Sequence, residues 1–188
     1  MDTKNRIIET ADTLFYDQGY QTTGINQIIS EAKVAKGTLY NHFKSKSELG
    51  QAYVERSSNQ WFSGLMEELE KFSTPKDKLL AVFSFLDKHT KKNYFNGCRI
   101  INIMTEIAGE DEQITIMSVA HKQKFRDFLY TLASEISTKP ITAQEIADTI
   151  YLLYEGATVE SKIFKQSWPI ELARKNAERI LIQDYSNQ

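Results

Sequence analysis

The sequence predicts an all-α chain of about nine helices, on three observations. Apolar residues recur at three- and four-residue spacing through almost the whole length. Glycine and proline are scarce, eight and three in 188 residues, which disfavours turn-rich β structure. Helix-start signals separate the apolar runs: Ser45-x-x-Glu48, Thr74-Pro75, Thr142-x-x-Glu145 and Ser167-Trp168-Pro169.

The elements follow in order. Ile7, Ile8, Ala11, Leu14 and Phe15 share one face of a first helix, about 3–18, and Gly19 suits its left-handed C-terminal position. Thr22 and Thr23 can cap a short second helix, about 24–31, that turns Ile25, Ile28 and Ile29 inward. A break at 32–35 precedes a third helix, about 36–43, with Leu39 and Phe43 in the core. Three short helices with such a break before the last make the helix-turn-helix pattern. Ser45 and Glu48 open a fourth helix, about 46–72, which at 1.5 Å per residue runs roughly 40 Å and outreaches a three-helix head. A fifth starts at Thr74-Pro75, carries Leu79, Val82, Phe83 and Leu86, and breaks at Asn96-Gly97. Ile100, Ile101, Met104, Ile107 and Ala108 mark a sixth, ended by Gly109. A seventh, about 112–137, buries Ile114, Met117, Phe125, Phe128, Leu129, Leu132 and Ile136. The eighth runs from the Thr142 box to about Phe164, with Ile146, Ile150, Leu153, Tyr154, Ala157 and Ser161 on one stripe. The ninth carries Leu172, Ala173, Ala177, Ile180 and Leu181. The expected division is a head over 1–47 and a helical body over 48–188.

Composition excludes several classes. With 41% hydrophobic and 26% charged residues the chain can bury a core. The start, MDTKNRIIETAD, has no apolar signal-peptide core, and no stretch approaches the roughly 18–20 apolar residues of a membrane span. Cys98 is the single cysteine, so no intrachain disulfide can form. A cytoplasmic protein is expected. Enzyme signatures are missing. There is no G-x-G-x-x-G and no G-x-S-x-G; Gly19 and Gly24 have phosphate-loop spacing, but Ile25 and Asn26 follow where Lys and Ser/Thr are needed. His42, His89 and His121 lie far apart, with no H-E-x-x-H pair. The expectation is a protein that is not an enzyme, with no cofactor and no metal.

Charge is informative only locally. The formal total is −2. Residues 32–47 nevertheless hold Lys33, Lys36, Lys44 and Lys46 and no acid, leaving 19 Lys+Arg against 25 Asp+Glu elsewhere. Basic charge on one small helix and its flanks is what a phosphate-facing surface needs.

The run VAKGTLYNHFKSKSEL, residues 34–49, closely resembles the recognition-helix signature of the TetR family of bacterial transcription regulators. Phe15, Gly19, Tyr20, Thr22, Thr23, Ile25 and Ile28 also fall where that family's head has them. The resemblance covers about residues 3–54. It implies a sequence-specific regulator, a homodimeric repressor released from a palindromic operator by a small-molecule ligand. Activation of transcription from the same fold is the alternative, as is a helical ligand carrier or interaction module that does not bind DNA.

Roles can be argued residue by residue. The third helix enters the major groove with its N-terminal end against the bases. Lys36 can bond guanine or a phosphate, Gly37 permits close approach, and Thr38 offers a methyl or a hydroxyl. Tyr40 and His42 match family positions that hold phosphates, and Asn41 joins the expected contacts. Lys46 begins the fourth helix, where charge and free N–H groups suit an anion. Thr23, Asn26 and Gln27 can grip the backbone from the second helix. Two positions depart from the family. Lys33 stands where glycine is usual, so a left-handed backbone there carries strain of about 1–2 kcal/mol. Ala35 stands where a serine cap is usual, at a loss of about 0.5–2 kcal/mol. A loosely held third helix is therefore expected in free protein, with Lys33 as a phosphate contact.

For the body, the resemblance implies that the eighth and ninth helices of two chains pair. The expected seam is Ile150, Tyr154, Ala157, Ser161, Phe164, Ala173, Ala177, Ile180 and Leu181. It also implies a cavity for a partly apolar effector, lined by Trp61, Phe62, Phe83, His89, Cys98, Asn102, Thr105, His121, Phe125, Phe128 and Tyr154. Cys98, at a helix start, is either a redox-sensitive thiol or an inert packed one.

Overall fold

A computed structural model describes residues 2–137 and 140–185. Within them the chain forms nine α-helices and no strand: α1 Thr3–Gln18, α2 Ile25–Glu31, α3 Lys36–His42, α4 Lys46–Leu69, α5 Pro75–Lys92, α6 Arg99–Ile107, α7 Glu112–Ser134, α8 Pro140–Phe164 and α9 Trp168–Tyr185.

The chain divides into two compact units. The first comprises residues up to 60 together with 98–120; the second comprises 61–97 and the chain from 121 onward. This differs from a division at 47/48, because α6 and the start of α7 fold with the head. Ile100, Ile103, Ile107 and Ile114 share one core with Ile7, Leu14, Phe15, Ile28 and Leu39.

In the first unit, turns are closed by side chains reaching main-chain groups. Gly19 ends α1 at φ +102°, a conformation L side chains rarely adopt. The Thr23 hydroxyl donates to the carbonyls of Leu14 at 3.3 Å and Gly19 at 2.7 Å. It therefore closes the end of α1 and does not cap α2, whose N-cap is Gly24 with no side-chain bond. Ser45 does cap α4: its Oγ accepts from the Glu48 N–H at 3.1 Å. α6 ends one residue before expectation, with Ala108 left-handed at φ +48° and Gly109 at φ +83°.

In the second unit α8 packs along α9, and both pack on α5. Thr74 caps α5, accepting from the Asp77 N–H at 3.1 Å, with Pro75 at the first helical position as expected. α8 starts at Pro140, so Thr142 lies inside the first turn and not at the cap. Proline's fixed φ suits that first position and moves the start ahead of the Thr142 box. The turn from α5 to α6 begins before Asn96: Tyr94 and Phe95 are both left-handed, at φ +52° and +55°. Lys165, left-handed at φ +54°, donates its ammonium to the Phe95 carbonyl at 2.9 Å. No helix among the described residues is long and apolar enough to cross a membrane.

Candidate functional site

α3 is short, seven residues, and is held by two side chains: Leu39 and Phe43, both buried. At helical spacing this leaves Lys36, Gly37, Tyr40 and Asn41 exposed together on the other side. Lys33 is exposed before them and Lys44 after them. Thr38 and His42 are half-buried at the margin of that face. The backbone at Lys33 is left-handed, φ +51°, and Ala35 caps α3 without any side-chain bond. Both local weaknesses read from the sequence are present.

Gly37 has no internal reason to be glycine. A Cβ there would meet no protein atom within 4 Å, and no positive φ marks it. Glycine inside a helix costs about 1 kcal/mol against alanine.

Three residues expected on this surface are engaged internally. Thr23 is fully buried, and its hydroxyl serves the end of α1, so its side chain offers nothing to DNA. Gln27 Nε2 donates to Gln18 Oε1 at 3.0 Å and Glu31 Oε1 at 2.9 Å. Lys46 is turned back on the head: its ammonium donates to the Gln21 carbonyl at 3.2 Å and lies 4.7 Å over the Tyr20 ring. Burial lowers its pKa, and the Glu106 charge opposes that shift. Asn26 remains exposed at the start of α2.

The second unit gathers rings around Trp61. Its indole meets Phe62, Phe85, His121, Phe125 and Tyr154 edge-on, at centroid separations of 4.8, 5.6, 5.2, 4.9 and 6.2 Å. Phe83 lies 6.1 Å from Tyr154, and His89 lies 5.4 Å from Phe85. Phe128 is half-buried on the same core. Eight of the expected ligand residues thus belong to one neighbourhood. Burial pushes the His121 pKa down to about 4, with the Lys122 and Lys124 charges lowering it further. Lys122 reaches both oxygens of Glu155, at 2.7 and 2.6 Å.

Cys98, Asn102 and Thr105 sit on or beside α6, in the first unit. Cys98 packs against the head's core, and Thr105 is exposed, its hydroxyl donating to the Asn102 carbonyl. Among the described residues no group of three His, Cys, Asp or Glu side chains could hold a metal ion.

The expected pairing seam is corrected by burial. Ile150, Tyr154, Ala157, Ser161, Ala173, Ala177 and Leu181 are buried within the chain's own core, and Ile180 packs partly against it. Small residues on that stripe let α8, α9 and α5 approach one another, so they have no surface left for a second copy. Of the expected set only Phe164 is exposed, in edge contact with Trp168 at 5.3 Å. A second apolar stripe faces outward: Leu152, Val159 and Ile163 on α8, with Trp168, Leu172 and Ile182 on α9. The sequence held the signal for it, since Leu152, Val159 and Ile163 recur at helical spacing outside the buried stripe. Sequence reasoning also missed Arg99 and Glu106 on α6.

Comparison with known proteins follows this geometry. Residues 7–53 match the family model described as bacterial regulatory proteins, tetR family. The chain is 24% identical to the HTH-type transcriptional repressor NemR of Escherichia coli strain K12, over 96% of this chain and 94% of that protein. It is 32% identical to the HTH-type transcriptional activator FasR of Mycolicibacterium smegmatis over 48% of this chain and 43% of that protein. Its fold superposes on a TetR-family transcriptional regulator from Streptomyces coelicolor with a TM-score of 0.89, at 23% identity, covering 96% of this chain and 89% of the other. Residues 7–53 are thus a helix-turn-helix domain of the tetR family, and with relatives along nearly its whole length the chain is a DNA-binding transcription regulator.

Proposed function

We infer that the protein is a homodimeric, cytoplasmic repressor that grips a palindromic operator through residues 1–47 and is released by a partly apolar small molecule bound in the body, 48–188. The observation that carries the DNA-facing part is Gly37: an exposed glycine with empty space around it, amid Lys33, Lys36, Tyr40, Asn41 and Lys44. One head reads few bases; two related by a twofold axis read both halves of a palindrome, about 34–36 Å apart or a multiple of this. The outward stripe of α8 and α9 supplies an apolar face for the second copy. The rings around Trp61 offer an apolar, aromatic lining to an effector. α4 contributes 46–60 to the first unit and 61–69 to the second, so an effector that favours another placement of α4 acts on the heads through one continuous helix. It shifts the equilibrium only by its difference in affinity for the two states. The similarity to an activator, FasR, keeps activation as the second reading.

Selection of binding sites from a random DNA pool tests the core of this. The expected result is a palindrome, with log K falling as log salt at about −0.9 per neutralised phosphate. Lys36→Ala should weaken binding by about 1–3 kcal/mol and relax base preference, whereas Tyr40→Ala should weaken all sequences alike. Gly37→Ala should raise the melting temperature slightly and still weaken operator binding, because the added methyl meets only the DNA. Salt-independent binding, or a Gly37→Ala variant of unchanged affinity, would remove α3 from the interface. A reporter with the operator overlapping its promoter separates repression from activation.

A further inference from the structure

The main chain of one residue in the turn between α1 and α2, Gln21, is held from two distant elements. The Gln21 N–H donates to Glu106 Oε2 at 2.8 Å, and the Gln21 carbonyl accepts from Lys46 Nζ at 3.2 Å. Glu106 lies in the last turn of α6, and Lys46 is the first residue of α4. The grip is tight. Gln21 Nε2 reaches the Glu106 carbonyl at 3.5 Å, and the Glu106 carboxylate is packed so close to Gly19 that a Cβ there would stand 3.0 Å from Oε2. Gly19 is therefore needed twice, for its φ of +102° and for the space it leaves to a carboxylate from α6.

α6 is fixed at its other end as well. The Arg99 guanidinium stacks 3.8 Å from the Tyr16 ring and donates to Asp12 Oδ2 at 3.1 Å. Both ends of α6 thus hold α1 or its exit, but only the Glu106 end meets the segment that leads into α2. At its far side that segment is tied only back to α1, by the buried Thr23 hydroxyl on the Leu14 and Gly19 carbonyls; α2 itself begins at Gly24, which offers no capping side chain. α2 and α3 pack on α1 through Ile28 and Leu39, and Glu106 and Lys46 add a grip from α6 and α4 on the segment that leads into α2.

We propose that Glu106 is a positioning residue for operator binding: through the Gln21 peptide, α6 sets the attitude of α2 and α3. The role rests on the reading of α3 as the DNA-facing helix. Glu106 itself touches no DNA in this scheme. Two other roles make different predictions. A carboxylate that acted only by repelling phosphates would, once removed, leave DNA binding stronger. A carboxylate that only stabilised the fold would lower the melting temperature without changing the affinity of the folded protein.

The experiment uses the full chain and its selected operator DNA. Wild type, Glu106→Gln, Glu106→Ala and Glu106→Leu are compared for affinity across a salt series, for thermal melting and for exchange of the Gln21 amide. Glutamine keeps an oxygen that can accept the Gln21 N–H but loses the charge; alanine and leucine lose both, and leucine keeps volume should the alanine variant not fold. Glu106→Ala and Glu106→Leu should bind about tenfold more weakly with an unchanged salt slope, and expose the Gln21 amide to faster exchange. Glu106→Gln should bind within about twofold of wild type. Tighter binding in all three variants, or equal affinity in all folded ones, would overturn the role while leaving the DNA-facing helix intact. A wild-type chain that selects no DNA would overturn the reading of α3 and this role with it.

Discussion

The two units of this chain are held by different chemistry. In the first, polar contacts tie the helices around their apolar core: Thr23 to the end of α1, Arg99 to Asp12, Glu106 and Lys46 to the main chain of Gln21, Arg56 to Glu9 at 3.1 Å. In the second, long helices meet through rings, with five aromatic edges on Trp61 and ion pairs such as Lys122–Glu155 at the margin. Their outer faces differ in the same sense. α3 presents lysines, an amide and a bare backbone; α8 and α9 present Leu152 and Ile163, 67% and 65% exposed. In the head, directional polar contacts add a fixed attitude to the burial its core supplies. A broad apolar surface supplies association but no sequence reading.

The sharpest way to break this contrast is at the outward stripe. Leu152→Glu with Ile163→Glu should turn a dimer into a folded monomer, read by light scattering, and cut operator affinity at least about a hundredfold as the second head is lost. Ala177→Glu, on the buried stripe, should instead prevent folding. A double variant that stays dimeric would return the interface to another surface.

A smaller effect probes the ring cluster. His121 has a folded pKa of about 4 against an ordinary 6.5. Between those values the unfolded chain takes up a proton that the folded chain refuses. Stability is therefore full above about pH 6.5 and falls as pH drops toward 4, by up to about 3 kcal/mol. Denaturant melts of wild type and His121→Phe across that window test it; the variant should lose most of the slope, and an identical slope would place the proton uptake elsewhere.

The smallest effect belongs to the head. Lys33→Gly relieves a left-handed lysine and should stabilise the free protein by about 1 kcal/mol. Hydrogen exchange should show α3 amides less protected than those of α4 in wild type and firmer in the variant. If Lys33 meets a phosphate, the salt slope should drop by about 0.9 in magnitude. Amides of α3 already as protected as α4 would end the view that the helix is loosely held.

How far each region was legible from the sequence follows from these contacts. The boundaries of α1, the starts of α3 and α5 and the end of α8 were readable because they depend on residues close in the chain: Gly19, Ala35, Thr74-Pro75 and the Phe164 to Trp168 turn. The exposed set of α3 was readable too, since Leu39 and Phe43 orient a short helix by periodicity alone. Thr23 was misjudged because a hydroxyl beside two helix ends can serve either, and only the position of Leu14 and Gly19 decides. The pairing stripe was misjudged for a related reason: α8 is apolar on two faces, and periodicity does not say which one meets α9.

By itself, then, the sequence determined the all-α class, the helix-turn-helix, the basic window 32–47 and the two weak points at Lys33 and Ala35. These rest on interactions within a turn or two of chain, where spacing and side-chain type are sufficient. The tertiary structure alone decided that α6 folds with the head, that Glu106 and Lys46 close on Gln21, and that Ala157, Ala173 and Ala177 face inward while Leu152 and Ile163 face out. Those facts join residues as much as 87 positions apart in hydrogen bonds alone, and a pattern of spacings carries no information about which distant surface fills a given face.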